Sequence, residues 1–165
     1  MIKHSAEMMA RSPDIGFIPT PNDALDAMID LAGLTACDRV YDLGCGDGRI
    51  LIKAVQHAEC RGVGIDIDPV RIAEAQQLAH RAGVGDRLRF RCQDLYQSEF
   101  QDATVVFLYL LPHLNLKLRP RLLAQLQSGA RIVSHQFDMG DWICDRRLQL
   151  SASEEESTLF LWRTS

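Results

Sequence analysis

Three glycines at alternate positions follow an acid in the run Val40-Tyr41-Asp42-Leu43-Gly44-Cys45-Gly46-Asp47-Gly48-Arg49-Ile50. An apolar stretch runs into the acid, and an amphipathic stretch begins behind the last glycine. That order reads as a buried strand, a tight turn and the start of a helix. Glycine supplies left-handed backbone, or lets a ligand approach with no Cβ in the way. The helix start offers unpaired N–H groups and the positive end of a dipole. Such a turn holds a polar ligand against bare backbone. A dinucleotide fingerprint, G-x-G-x-x-G, needs its third glycine one place later, where this chain has Arg49. A phosphate loop needs G-K-[ST], which the chain lacks.

Two further acids end apolar runs. Gly62-Val63-Gly64-Ile65-Asp66 reads as a second buried strand, and Asp66 lies about twenty residues past the glycines, where an acid accepts ribose hydroxyls. Asp68-Pro69 is a good helix start, so Asp68 is assigned a capping role. Leu88-Arg89-Phe90-Arg91-Cys92-Gln93-Asp94-Leu95 alternates as a strand and closes on Asp94. Two later runs carry polar groups after apolar strands. Leu108-Tyr109-Leu110-Leu111-Pro112 ends one, and Ser134-His135-Gln136-Phe137-Asp138-Met139-Gly140-Asp141-Trp142 ends the other. Their bland reading is core packing and an Asx-turn loop plugged by Trp142; Tyr109, His135 and Asp138 are the candidates for chemistry.

The elements that position these residues follow from periodicity. A helix capped by Asn22 carries Leu25, Met28, Ile29 and Ala32 on one face. Strands are expected at about 39–43, 62–66, 87–92, 104–109 and 130–135, and helices at 48–58 and 70–82. A helix near 115–127 is interrupted on paper by Pro120, and is expected to start there with a separate turn before it. Two tail strands, 146–151 and 157–163, flank Glu154-Glu155-Glu156 as a solvated hairpin loop. Strands alternating with helices give an α/β, doubly wound, mostly parallel sheet; the tail hairpin makes it seven-stranded with an antiparallel end.

The chain has 165 residues, 47% of them hydrophobic, enough for one domain with a real core. Its net charge of −4 argues against a generic nucleic-acid surface. Arg87, Arg89 and Arg91, like Lys117, Arg119 and Arg121, read by default as solvated faces. No apolar run spans a membrane and no signal or transit peptide is expected, so membrane insertion is excluded and a cytoplasmic location expected. The five cysteines form no C-x-x-C pair and the five histidines have no metal-ligand spacing. Reduced thiols and no metal are expected; oligomeric state is not legible.

The spacing D-x-G-x-G-x-G, with Asp66 and Asp94 closing the next two strands, resembles the class I, seven-strand S-adenosylmethionine-dependent methyltransferases. The resemblance runs from about residue 20 to the C-terminus. Gly16-Phe17-Ile18-Pro19-Thr20-Pro21, the Leu-Leu-Pro loop and Arg131-Ile132-Val133-Ser134 to Trp142 narrow it to the small lysine methyltransferases related to the ATP synthase c-subunit lysine methyltransferase. It implies S-adenosylmethionine held by Thr20, Asp42, Gly44, Gly46, Gly48, Asp66, Ile67, Asp94, Leu95 and Leu108. Asp94 would read the adenine amino group, with the Leu95 amide facing the ring. It implies a methyl-acceptor site at Tyr109, Asp138 and His135, with Phe17, Leu110, Leu111 and Trp142 as walls. Residues 1–20 would fold over the cofactor site and 21–165 form the single domain. The (D/N)PPY loop of nucleobase and glutamine methylation is absent, as is the membrane-targeting segment of those relatives. The resemblance implies a lysine on a protein as the acceptor. A small-molecule methyltransferase, or a non-catalytic S-adenosylmethionine-binding partner subunit, are the alternatives.

Overall fold

The computed structural model describes residues 20–150 and 156–165. Seven strands form one sheet in the order β3-β2-β1-β4-β5-β7-β6. They are β1 (Arg39–Leu43), β2 (Arg61–Asp66), β3 (Leu88–Cys92), β4 (Val105–Leu108), β5 (Arg131–His135), β6 (Arg146–Leu150) and β7 (Ser157–Arg163). The first five run parallel, and β7 pairs antiparallel with both β5 and β6. Helices α2 (Arg49–Ala58), α3 (Pro69–Arg81) and α4 (Pro112–Gln125) join β1 to β2, β2 to β3 and β4 to β5, a short turn at Leu95–Gln97 lies between β3 and β4, and α1 (Asn22–Ala32) precedes β1. This is the doubly wound sheet with an antiparallel hairpin that the alternation of elements predicts.

Alternate side chains of each strand feed opposite layers. One layer packs Val40, Phe107 and Val133 against Met28 and Ile29 of α1 and Leu51 and Val55 of α2. The other packs Tyr41, Val106 and Ile132 against Leu118 and Leu122 of α4, with Phe100 and Trp162. The parallel strands, covered on both faces, are nearly continuous apolar runs, as their burial requires.

Three expectations are corrected. The helix after β4 begins at Pro112, in the first turn where proline is tolerated, and runs through Pro120. Pro120 is exposed, so the carbonyl freed by its missing N–H faces water and the helix survives. Asn22 is the first helical residue and caps nothing; the cap position is Pro21, whose carbonyl accepts from the Leu25 N–H. Thr104 and Tyr109 lie outside β4. Thr104 instead bonds the Asp38 carboxylate through its hydroxyl, and Tyr109 leaves the ladder. The expected fold-over of residues 1–20, with Phe17, and most of the 154–156 loop lie outside the described residues, save Thr20 and Glu156.

Candidate functional site

The carboxyl ends of β1, β2 and β3 lie side by side, Leu43 level with Ile65 and Asp66 with Cys92. The glycine turn crosses this end. Gly44, Gly46 and Gly48 all have positive φ, at 88°, 54° and 77°, which an alanine adopts only under strain. The three do different work. Gly44 is exposed, and a Cβ there would make only ordinary contact with Leu110. Gly44 is therefore bare backbone at the mouth of the site. Gly48 is buried at the start of α2, where a Cβ would stand 2.9 Å from the Phe90 ring and 3.1 Å from Ala75. It lets the helix close onto the sheet.

Asp66 organises the turn. Its carboxylate accepts the Gly46 N–H at 2.9 Å and the Asp68 N–H at 2.9 Å, one on each oxygen. A carboxylate has about four acceptor positions, so each oxygen keeps capacity for a hydroxyl donor. Asp68 accepts from the Val70 N–H at 2.9 Å and caps α3, as its place before Pro69 predicts. Asp94 stands two residues past β3 and caps a short turn through the Tyr96 N–H at 2.9 Å. Leu95 and Ile67 are half-buried beside these acids, and Thr20 is half-buried just before α1. Leu108 differs from its neighbours: its side chain is sunk in the core, so it can offer a ligand only main chain.

Asp42 is buried, and its carboxyl is held well above the usual carboxylate range, first by burial and then by the charges of Asp66 and Asp47. A cationic ligand placed among these acids would relieve that repulsion. Asp47 is itself clamped by Arg49, whose guanidinium bonds both carboxylate oxygens at 3.1 and 2.7 Å. Exposed glycine backbone, an acid with spare acceptor positions and a crowd of carboxylates that a cation would settle together fit S-adenosylmethionine, which carries a sulfonium, an ammonium and a ribose.

The ends of β4 and β5 form the second half. Tyr109 and His135 meet ring to ring, centroids 4.3 Å apart, and the Phe137 ring lies near-parallel to Tyr109 at 6.3 Å. His135 is 2% exposed, and burial pushes its imidazole down to about 4, against a smaller upward pull from Asp23. Its Nε2 is 3.0 Å from the Ser157 hydroxyl, and its buried Nδ1 has no hydrogen-bond partner. Asp138 is exposed, with its carboxylate accepting the Gly140 N–H at 3.1 Å. This is the Asx-turn geometry of the bland reading, so Asp138 sits at the rim while Tyr109 and His135 touch. Trp142 is half-buried and its carbonyl accepts the Trp162 indole N–H at 2.8 Å.

Sequence reasoning missed the residues that shape this loop. Asn115 of α4 is fully buried and donates to the carbonyls of Phe137 and Asp138 at 3.3 and 3.1 Å. Ser134 donates to the Phe137 carbonyl at 2.6 Å, and Arg119 reaches the Met139 carbonyl at 3.1 Å. Gln136, directly after His135, holds φ at 76°, a left-handed setting that costs a side chain about 1–2 kcal/mol. The available signal was the pair Asn115 and Arg119 at i, i+4, polar groups beside the buried Leu114, Leu118 and Leu122.

Comparison with known proteins fits this geometry. The model of the ANTKMT methyltransferase domain matches residues 42–146. A protein-lysine N-methyltransferase of Saccharolobus islandicus is 33% identical over 155 residues, covering 93% of this chain and 96% of its own. The adenine nucleotide translocase lysine N-methyltransferase of Mus musculus is 33% identical over 104 residues, covering 63% of this chain and 45% of that protein's length. Among solved structures, an RNA methyltransferase from Salinibacter ruber, in complex with S-adenosyl-L-homocysteine, superposes with a TM-score of 0.85 at 46% identity, covering 88% of this chain and 93% of that one. No described helix is long and apolar enough to cross a membrane. From the glycine turn, the aligned acids and the full-length relatives it follows that the chain belongs to the family of the ANTKMT methyltransferase domain, and is a class I S-adenosylmethionine-dependent methyltransferase.

Proposed function

We propose that the acceptor is the side-chain amine of a lysine on a protein. The observation that carries this is the near end-to-end match to the S. islandicus protein-lysine N-methyltransferase. The geometry supports it. Tyr109, Phe137 and the neutral His135 give an aromatic-sided approach at the end of β4 and β5.

When bound, S-adenosylmethionine would supply an electrophilic methyl group to the acceptor amine. The protein's part is positioning and proton control. Asp66, Asp94 and Leu95 would hold the nucleoside half, with Gly44 as bare backbone beside it and Gly46 fixing the Asp66 carboxylate, and Asp42 would balance the cationic half. At the rim, the Asp138 carboxylate draws in an ammonium group. A free lysine is protonated at neutral pH, with a pKa of about 10.4. Lying against the Tyr109 ring strips its water, which favours the uncharged amine, its proton leaving to solvent. His135 keeps no positive charge there, so it does not repel the incoming ammonium, and its ring packs against Tyr109 and fixes that wall.

A second reading has one specific observation behind it: the S. ruber structure bears the description of an RNA methyltransferase. The near-parallel Tyr109 and Phe137 rings would also stack a base. The net charge of −4 and the Tyr109-Leu110-Leu111-Pro112 loop in place of (D/N)PPY weigh against it. One experiment separates the two. Labelled S-adenosylmethionine is added to lysate whose lysines have been acetylated, and in parallel to lysate pretreated with ribonuclease. Lysine methylation predicts loss of label in the first and no change in the second. The opposite pattern overturns the proposal.

A further inference from the structure

The β3 edge is not part of the site described above. Among the described residues, β3 has one strand neighbour, β2. The Gln93 N–H donates to the Asp66 carbonyl. Alternation along a parallel pair then turns the main-chain groups of Arg89 and Arg91 toward β2, and those of Leu88, Phe90 and Cys92 outward. Side chains alternate across the sheet. Leu88 and Phe90 pack toward α2 and α3, beside Gly48, Gly62 and Gly64, while Arg89 and Arg91 stand on the other face. A groove of about 540 Å³ runs along this edge, with Leu88 and Phe90 in its floor and Gln76, His80, Arg89 and Arg91 in its walls.

An open edge strand is a template for another strand, and charged side chains guard it. Two copies of this edge would set arginine against arginine. The same charges select an acidic partner. A nucleic-acid strand would use the arginines but leave the outward N–H and C=O groups and the apolar floor unused; an extended polypeptide uses all three. We propose that the β3 edge docks an extended segment of a partner protein in which acidic and apolar residues alternate, added to the sheet as an eighth strand. Its apolar side chains lie on the Leu88 and Phe90 side and its acids on the Arg89 and Arg91 side. β3 is three strands from β4, about 14 Å at ordinary strand spacing, so the docked segment leaves the Tyr109 end of the sheet open. The proposal stands whichever acceptor is methylated.

The test is direct binding to the whole chain, without a methylation readout. The probe is a blocked peptide of repeated Glu-Val units; a Lys-Val peptide and an oligouridylate are the comparisons. The Glu-Val peptide should bind and slow hydrogen exchange at the Phe90 and Cys92 amides. Arg89→Glu should weaken it by roughly fivefold or more, a surface charge pair replaced by a repulsion, with unchanged thermal midpoint. Arg89→Lys should retain most of the affinity. Failure of the Glu-Val peptide to bind, equal binding of the Lys-Val peptide, binding without slower exchange at Phe90 and Cys92, or preference for the oligouridylate would each overturn the proposal.

Discussion

Replacing Gly48 with alanine separates the packing role of the glycine turn from its ligand role. The residue holds φ at 77°, and left-handed backbone costs a Cβ-bearing residue about 1–2 kcal/mol. The new Cβ also falls 2.9 Å from Phe90 Cε1 and 3.1 Å from the Ala75 Cβ. Crowding of this kind in a packed core costs about 1–3 kcal/mol. Gly48→Ala should therefore lose about 2–5 kcal/mol in a urea titration, with an unchanged m-value. The crowding part is relieved by a smaller neighbour. In the double mutant Gly48→Ala/Phe90→Leu the loss should fall short of the sum of the single losses by about 1 kcal/mol or more. Gly44→Ala is the contrast. Its φ is as unfavourable at 88°, but its Cβ meets Leu110 only at 3.5 Å. It should lose about 1–2 kcal/mol of stability and show its main effect on cofactor affinity, by calorimetry. If Gly48→Ala stays within ~0.5 kcal/mol of the parent, or the two substitutions are strictly additive, the packing role assigned to Gly48 is wrong.

Further outcomes follow from the same structure. His135 binds its proton more weakly folded, at about 4, than unfolded, at about 6.5. Its contribution is thus full above about pH 6.5 and is lost as pH falls through 4. Up to about 3 kcal/mol of acid sensitivity should disappear from the pH–stability curve of His135→Asn. Asp66→Ala loses the acceptor of the Gly46 and Asp68 N–H groups and should weaken cofactor binding more than Asp68→Ala, which loses only a cap of about 1 kcal/mol; equal affinities in calorimetry would show the wrong acid was assigned. Arg131 pairs with the buried Asp38, which keeps the Thr104 hydroxyl and the Thr35 N–H, so Arg131→Met should cost about 1–3 kcal/mol by chemical denaturation. Tyr109→Ala should leave S-adenosylmethionine affinity within about threefold, under the 1.4 kcal/mol of a tenfold change, yet cut methyl transfer strongly in single-turnover assays.

Much of this molecule was legible because it is local. The glycine spacing, the acids at Asp66 and Asp94 and the Asp68 cap each rest on a few consecutive residues. Strand alternation and helix period then set the sheet, down to β1 and β7, whose ends fall where the pattern puts them. What was illegible is what packing decides. Pro120 reads as a break, and only its exposed position shows why the helix tolerates it. The reason for Gly48 is Phe90, distant in sequence and adjacent in space. The pairing of His135 with Ser157 and the hold of Asn115 on the loop after β5 arise only once the sheet has closed. Asp138 and Tyr109 are both polar groups just past apolar strands, yet only Tyr109 meets His135.

The atom that receives the methyl group can be identified directly. Cell protein incubated with the enzyme and labelled S-adenosylmethionine can be hydrolysed fully to amino acids and resolved against standards. The label should elute as ε-N-methylated lysine, rise with pH as free amine becomes available, and drop strongly when the enzyme carries Tyr109→Ala. Label in any other amino acid, in nucleotides or in small molecules, with none in methyllysine, would contradict lysine as the acceptor.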